Sequence, residues 1–319
     1  MQNSNRTGKT GSMENIIVIE SLTKRYGTEI GIENLNLTIE RGEIFGFLGQ
    51  NGAGKTTTIR CILNILVPDS GKITVEGIEV SRDSSELKEN IGYLPGEWYI
   101  PGGYKVSNFL EYMAVLRKRP SIRMQEMVEK FKLPLNKKIK QLSKGNKQKM
   151  GIVLAFMHDP DVLVLDEPTS GLDPLLQQEL YDLLLEEKKR GKTIFFSSHN
   201  LDEVQKICDR VAIIREGQLV SVEKVSELAE KVPRTLIASF YEIDKSAVEK
   251  LGSKVHNFNP DLKEIEVDIS NGDSLSEVLS YLTSLKLKDL AYPPASLESY
   301  FLSKYDTESA IEVEKHVQS

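Results

Sequence analysis

From Ile16 onward the chain sets short apolar runs against polar positions. IIVIESLTKRY and IGIENLNLTIERGEIFGFLG are rich in β-branched residues, alternate along their length and break at Gly27 and at Arg41-Gly42, which predicts strands joined by turns. After Gly54 the period lengthens. Ile59, Ile62, Leu63 and Leu66 fall on one helical face, with Pro68 and Gly71 to close the helix, so a strand, a glycine-rich loop and a helix follow in order. Between about 95 and 160, FLEYMAVLRK, MQEMVEKFKL and KQKMGIVLAFMH repeat helical spacing, which predicts an inserted helical subdomain. The strands DVLVLDEP, KTIFFSSH and RVAIIREG then alternate with LLQQELYDLLLEEKKR and LDEVQKICD, the rhythm of a largely parallel sheet. Lys188, Lys189 and Arg190 complement the C-terminal dipole of the first of these helices, and Gly191 supplies its cap.

From Arg234 the order is strand (TLIASFYE), helix, strand (KVHNF), strand (EIEVDIS), helix, strand (KDLAY), the split βαβ or ferredoxin-like order. A short helix with Leu297, Tyr300, Phe301 and Leu302 follows. The fold expected is thus α/β: a core with a mostly parallel sheet, an antiparallel β subdomain and an inserted helical subdomain, then a small ferredoxin-like α+β domain. The expected divisions are a polar leader over 1–14, the core over 15–230, the accessory domain over 231–305 and a charged tail over 306–319, with both ends expected to be disordered. There are no internal repeats.

Composition narrows the partners. Charged residues are 28% of the 319, yet the net charge is only −6, so no bulk charge favours nucleic acid. Cys61 and Cys208 lack metal-ligand spacing and sit in apolar stretches, as reduced buried thiols do. No apolar run reaches the roughly 20 residues of a membrane span and the first residues do not resemble a signal peptide, which implies a cytoplasmic chain.

Two motifs carry the chemistry. Gly49-Gln50-Asn51-Gly52-Ala53-Gly54-Lys55-Thr56 fits G-x-x-x-x-G-K-[ST] between a strand ending at Leu48 and a helix, the context that a phosphate cradle requires. Its backbone N–H groups and the helix N-terminus converge on phosphate oxygens; Lys55 reaches the β- and γ-phosphates. Thr56 offers its hydroxyl to Mg²⁺, and Thr57 stands beside it. The second motif, Val162-Leu-Val-Leu-Asp166-Glu167, reads as a strand buried on both faces that ends in paired acids. Asp166 is expected to hold Mg²⁺ and Glu167 to orient the water that attacks the γ-phosphorus of ATP.

Further segments select a family. Leu142-Ser143-Lys144-Gly145-Asn146 resembles the LSGGQ signature of the ABC ATPases, Ser170-Gly-Leu-Asp173 their dimer-contact loop, His199 their switch histidine and Tyr26 their adenine-stacking aromatic. The resemblance covers about Ile16 to Glu223 and implies a P-loop ATPase of ABC type. It also implies that Ser143 and Gly145 of one subunit close on the phosphate loop of another, in a homodimer or a pseudo-dimer with a paralogous ATPase subunit. It further implies that an integral membrane permease is driven from the inner face of the membrane. The accessory domain is similar to that of drug- and antibiotic-resistance exporter ATPases and leans the reading towards export.

Three positions depart from the family pattern: Lys144 replaces Gly, Asn146 replaces Gln, and Gly96 stands where a Gln usually touches Mg²⁺. Glu97 is the candidate substitute for that Gln. The apolar Trp98, Tyr99 and Ile100 fall where the family receives a helix from the permease, although a packing role serves them equally. An ABC protein of ribosomes or DNA is the rival reading, but it usually has two cassettes or a coiled-coil insertion, and neither is visible. A P-loop GTPase or kinase would not explain LSKGN, SGLD and His199 together. A module that binds ATP without turning it over stays open, given the altered signature.

Overall fold

A computed structural model describes residues 14–81, 84, 87–97, 99–117, 119–231, 234–269 and 275–293. Trp98, the helix expected at Leu297 to Leu302, the leader up to residue 13 and the tail lie outside the described residues. The chain divides into two compact units, the first ending at Glu223. The sequence suggested a boundary seven residues later; the helix over Val225–Lys231 belongs to the second unit.

The first unit opens with β1 (Asn15–Tyr26) and β2 (Glu29–Glu40), followed by β3 (Ile44–Leu48), α1 (Lys55–Ile62), β4 (Ser70–Val75) and β5 (Ile78–Glu79). Strands β2, β1, β4 and β5 form, in that order, an antiparallel sheet that buries Ile17, Ile19, Leu35 and Ile39. Helix α1 is shorter than its apolar period suggests. Asn64 takes the left-handed conformation (φ 52°), and the Ile65 and Leu66 N–H groups both turn back to the Arg60 carbonyl, which ends the helix after Ile62.

Next come α2 (Leu87–Asn90) and β6 (Ile91–Leu94), a strand that IGYL is too short to announce by period, then α3 (Val106–Leu116), α4 (Met124–Lys130) and α5 (Lys144–Phe156). The core resumes with β7 (Val162–Asp166), α6 (Pro174–Lys189), β8 (Thr193–Ser198), α7 (Leu201–Ile207), β9 (Arg210–Arg215) and β10 (Gln218–Lys224). These strands form one sheet ordered β10-β9-β3-β8-β7-β6, parallel from β9 to β6. Strands β3, β7 and β8 are buried at every residue, as the interior of a doubly covered parallel sheet demands. Both cysteines are buried free thiols, and burial pushes the Cys61 thiol up to about 11.

In the second unit α8 (Val225–Lys231) precedes β11 (Arg234–Glu242), α9 (Lys245–Glu249), β12 (Val255–Asn259), β13 (Glu264–Ile269), α10 (Leu275–Ser284) and β14 (Lys286–Ala291). The strand order is β12-β13-β11-β14 with every pair antiparallel, the ferredoxin-like arrangement. Strict alternation on β11 and β13 buries Leu236, Ala238, Phe240, Ile265, Val267 and Ile269 on one face, where α10 adds Val278 and Leu282.

Candidate nucleotide site

The phosphate loop sits at the C-terminal edge of the parallel sheet, between β3 and α1, where α/β folds place their ligands. Two glycines are dictated by space. A Cβ on Gly49 would meet the Ile214 carbonyl oxygen at 2.5 Å, and one on Gly54, whose φ is +107°, would meet that of Gly31 at 2.5 Å. The loop is braced from outside by the Gly217 N–H, which donates to the Ala53 carbonyl. Gly54 caps α1 with no side-chain hydrogen bond, so no side chain competes there for the first N–H groups of the helix. Lys55, 5% exposed, donates to the Gly49 carbonyl (2.7 Å) and the Gln50 carbonyl (3.1 Å) and lies 3.3 Å from Glu167 Oε1.

The acids come from β7. Asp166 is 2% exposed and both its oxygens are engaged: Thr56 donates its hydroxyl to Oδ2 (2.9 Å) and Ser197 donates to Oδ1 (2.7 Å). Ser197 faces Asp166 across the β7·β8 register, and its oxygen also accepts the Glu167 N–H at 3.1 Å. That bond holds Glu167 at φ +45°, a left-handed conformation that a residue with a long side chain adopts only when its surroundings fix it. The Glu167 carboxylate then lies between Lys55 and His199, whose Nδ1 is 3.3 Å from Oε2. Lys55, Thr56, Asp166, Glu167 and His199 are thus brought together. Tyr26 joins them at the rim, half exposed, its hydroxyl 3.4 Å from Thr57 Oγ1 and its ring against Gly31.

A cleft of about 410 Å³ opens in front of these groups; Thr56, Arg60, Tyr93, Glu97, Asp166 and Glu167 are among its walls. Burial and the Asp166 charge push the Tyr93 phenol up to about 12, so it stays a neutral hydroxyl. Gly96 lies against Asp166 at the cleft wall: a Cβ there would be 3.2 Å from the Asp166 backbone oxygen, a close fit. The donor set suits Mg²⁺. A hydroxyl and a carboxylate are hard oxygen ligands, and a metal that shares its shell with water and phosphate needs no protein cage of three or more side chains.

Ser143 and Gly145 make their contacts elsewhere. Ser143 caps α5, its hydroxyl accepting from the Asn146 backbone N–H (3.2 Å) and from Asn146 Nδ2 (3.1 Å). A Cβ on Gly145 would lie 3.1 Å from the Gly171 carbonyl oxygen. Lys144 lays its stem across Gly171 and donates to Ser170 Oγ at 3.3 Å, while buried Gln148 donates to the Pro168 carbonyl (2.8 Å). The LSKGN segment and the SGLD loop are therefore bound to each other within one chain. Sequence reading missed Ser197, Arg60, Tyr93 and Gly31. For Ser197 the signal is there in retrospect: KTIFFSSH ends a wholly buried strand in hydroxyls, in register with the acids.

Residues 32–170 match the ABC transporter family model. The bacitracin transport ATP-binding protein BcrA of Bacillus licheniformis is 37% identical over 215 residues, covering 65% of this chain and 69% of that one. The uncharacterised ABC transporter ATP-binding protein YhaQ of Bacillus subtilis is 31% identical over 298 residues, 91% of this chain and 98% of that one, so its likeness extends through the second unit. A solved ATP-binding subunit of an ABC transporter superposes with a TM-score of 0.62 at 26% identity, covering 67% of this chain and 91% of that chain. With the phosphate loop, the buried Asp166 and the adjoining Glu167 in the places this chemistry requires, the chain belongs to the ABC transporter ATP-binding proteins and is an ATPase subunit of that family.

Proposed function

We propose that this subunit hydrolyses MgATP in a dimer with a second cassette and so drives a separate membrane permease, in the direction of export, from the inner face of the membrane. The observation that carries the reading is the bonded set Thr56, Asp166, Ser197 and Glu167, with Lys55 facing it. The phosphate loop binds and orients the triphosphate; Lys55 exchanges its two carbonyl partners for phosphate oxygens. The Thr56 hydroxyl and the Asp166 carboxylate would hold Mg²⁺, which when bound neutralises charge on the phosphates. Glu167 accepts a hydrogen bond from the attacking water and aims it, and His199, within reach of the same carboxylate, fixes Glu167 on its outer side. Tyr26 offers a ring at the rim for the adenine.

The dimer is supported by what Ser143 lacks. It is exposed, its hydroxyl serves only its own helix, and the α5 N-terminus has N–H groups free for an anion, while Lys144 beside it reaches the cleft in front of Asp166 and Glu167. A structurally similar cassette is described as dimeric, and another, 30% identical to this chain, as part of a transporter complex. Export rests on the bacitracin-transport relative and on the accessory domain. Among the described residues no helix is long and apolar enough to cross a membrane. The test is ATPase assay beside a Glu167→Gln variant: turnover by the wild type and its loss with ATP binding intact support the enzyme, whereas equal rates would leave a module that binds without hydrolysing.

A further inference from the structure

The helical lobe has a charge that the rest of the chain conceals. Residues 101–158 hold thirteen Lys and Arg against three Asp and Glu, in a chain whose net charge is −6. The two cation types are used differently. The described arginines of the lobe are consumed by structure: Arg117 donates to His158 Nε2 (2.9 Å), Arg119 to Asn90 Oδ1 (3.1 Å) and Arg123 to the buried Glu187 (2.6 Å). Burial and the Arg117 charge hold His158 down at about 4, so it stays neutral and accepts that bond. By contrast Lys105, Lys132, Lys137, Lys138, Lys140 and Lys147 are exposed, and none has a carboxylate within ion-pairing distance among the described residues.

Backbone pairing gathers four of these lysines. The segment before α3 lies antiparallel to the one before α5: Lys105 bridges Lys138, the Ile139 N–H donates to the Tyr104 carbonyl, and the Lys140 N–H donates to the Gly102 carbonyl. Lys105 and Lys138, as bridge partners, stand on the same side of this pair; Lys140 follows two residues on, and Lys137 and the 56% exposed Tyr104 adjoin them in sequence. Tyr112, Val115 and Leu116 stand out from α3, the helix that this segment begins.

We propose that this surface binds the anionic headgroups of a phospholipid membrane. An ammonium on a long stem is a point charge without the planar fork that selects a peptide carboxylate or a single phosphate. A set of lysines with no arginine among them suits a diffuse negative layer, and four to eight such charges are what an anionic leaflet retains. Exposed tyrosines have an apolar body and a polar tip, the amphipathic shape that settles at a headgroup boundary. The inference rests on the membrane-peripheral placement proposed above and adds that the ATPase subunit itself touches lipid, without the permease.

The test is co-sedimentation of the full chain with vesicles, in the absence of permease. Wild type is expected to bind vesicles containing about 40% phosphatidylglycerol in phosphatidylcholine. That binding should fall at least tenfold when salt is raised from about 0.05 M to about 0.5 M, as an electrostatic contact requires, and pure phosphatidylcholine vesicles should be left in solution. Lys105→Glu, Lys138→Glu and Lys140→Glu together should lower binding by at least tenfold while ATPase activity in solution stays within about twofold, and the matching triple Arg variant should bind like wild type. Equal binding by wild type and the Glu triple variant, or equal binding to neutral vesicles, overturns the proposal. Tighter binding of wild type to poly-glutamate than to the anionic vesicles at the same salt also overturns it, in favour of an acidic protein partner. If the Glu triple variant loses its ATPase activity, the pair Lys105→Gln and Lys138→Gln replaces it, with a threefold loss of vesicle binding expected and no loss contradicting. Since no permease is present, failure here leaves the ATPase reading standing.

Discussion

The two ends of the nucleotide site are built on opposite principles. At one end, Asp166 and Ser197 are buried, every polar atom named there has a partner, and the partners come from three separate elements: α1, β7 and β8. At the other, Ser143 and Lys144 are exposed, and their hydrogen bonds stay within α5 or reach only the neighbouring SGLD loop. The first end is preorganised, so charge can develop there without rearrangement. The second is open, and in the dimer proposed above the nucleotide it meets is carried by another cassette. Substitutions at the first end should therefore cost turnover, and substitutions at the second should cost assembly.

The largest effect expected is at Glu167. Glu167→Gln keeps the shape and removes the charge that aims the water, so kcat should fall by about a thousandfold, with ATP binding retained, in a phosphate-release assay. Ser197→Ala comes next. It strips a hydroxyl from Asp166 and leaves the Glu167 N–H without its acceptor; kcat should fall by about tenfold to fiftyfold with KM for ATP within twofold, and chemical denaturation should show a loss of about 1–3 kcal/mol. A large loss of stability with unchanged kcat would make Ser197 a packing residue and narrow the contrast to Asp166 and Glu167. At the rim, Tyr26→Ala should raise KM for ATP by about fivefold to tenfold while Tyr26→Phe stays within twofold, since the proposed adenine stacking needs the ring and the hydroxyl makes only a 3.4 Å contact with Thr57. Smallest of all, Lys144→Gly, which restores the family's glycine, should change kcat by less than about threefold, because the exposed link to Ser170 is weak. A larger effect would mean that this lysine acts on nucleotide and not only on its neighbour loop.

Legibility followed the same division. The phosphate loop and the acidic strand were readable because their chemistry is local: a glycine-rich turn between strand and helix, and an apolar run ending in acids. The strand ending at Leu48 and those within DVLVLDEP and KTIFFSSH were legible from the apolar pattern, since strands buried on both faces stand out as unbroken apolar runs, and the structure sets their bounds at Ile44–Leu48, Val162–Asp166 and Thr193–Ser198. The ferredoxin-like order was equally plain, because β11 and β13 alternate strictly. Register was not legible. That Ser197 lies opposite Asp166 follows from how two distant strands pair, and that Gly31 braces Gly54 follows from a hairpin packing on the loop. Helix α1 misled because Leu63 and Leu66 continue the apolar spacing; a single asparagine in the left-handed conformation ends the helix where the period does not. Gly96 reads in sequence as a lost side chain, and the structure places it at the cleft against Asp166, where an added Cβ would sit 3.2 Å from the Asp166 backbone oxygen.

The central claim, that nucleotide on one protomer's phosphate loop is completed by another protomer's LSKGN segment, is tested most directly by molar mass in light scattering. Glu167→Gln should be monomeric without nucleotide and double its mass with MgATP, and adding Ser143→Arg should abolish the doubling. A Glu167→Gln protein that binds MgATP tightly yet stays monomeric, together with a wild-type specific activity independent of protein concentration, would contradict the account.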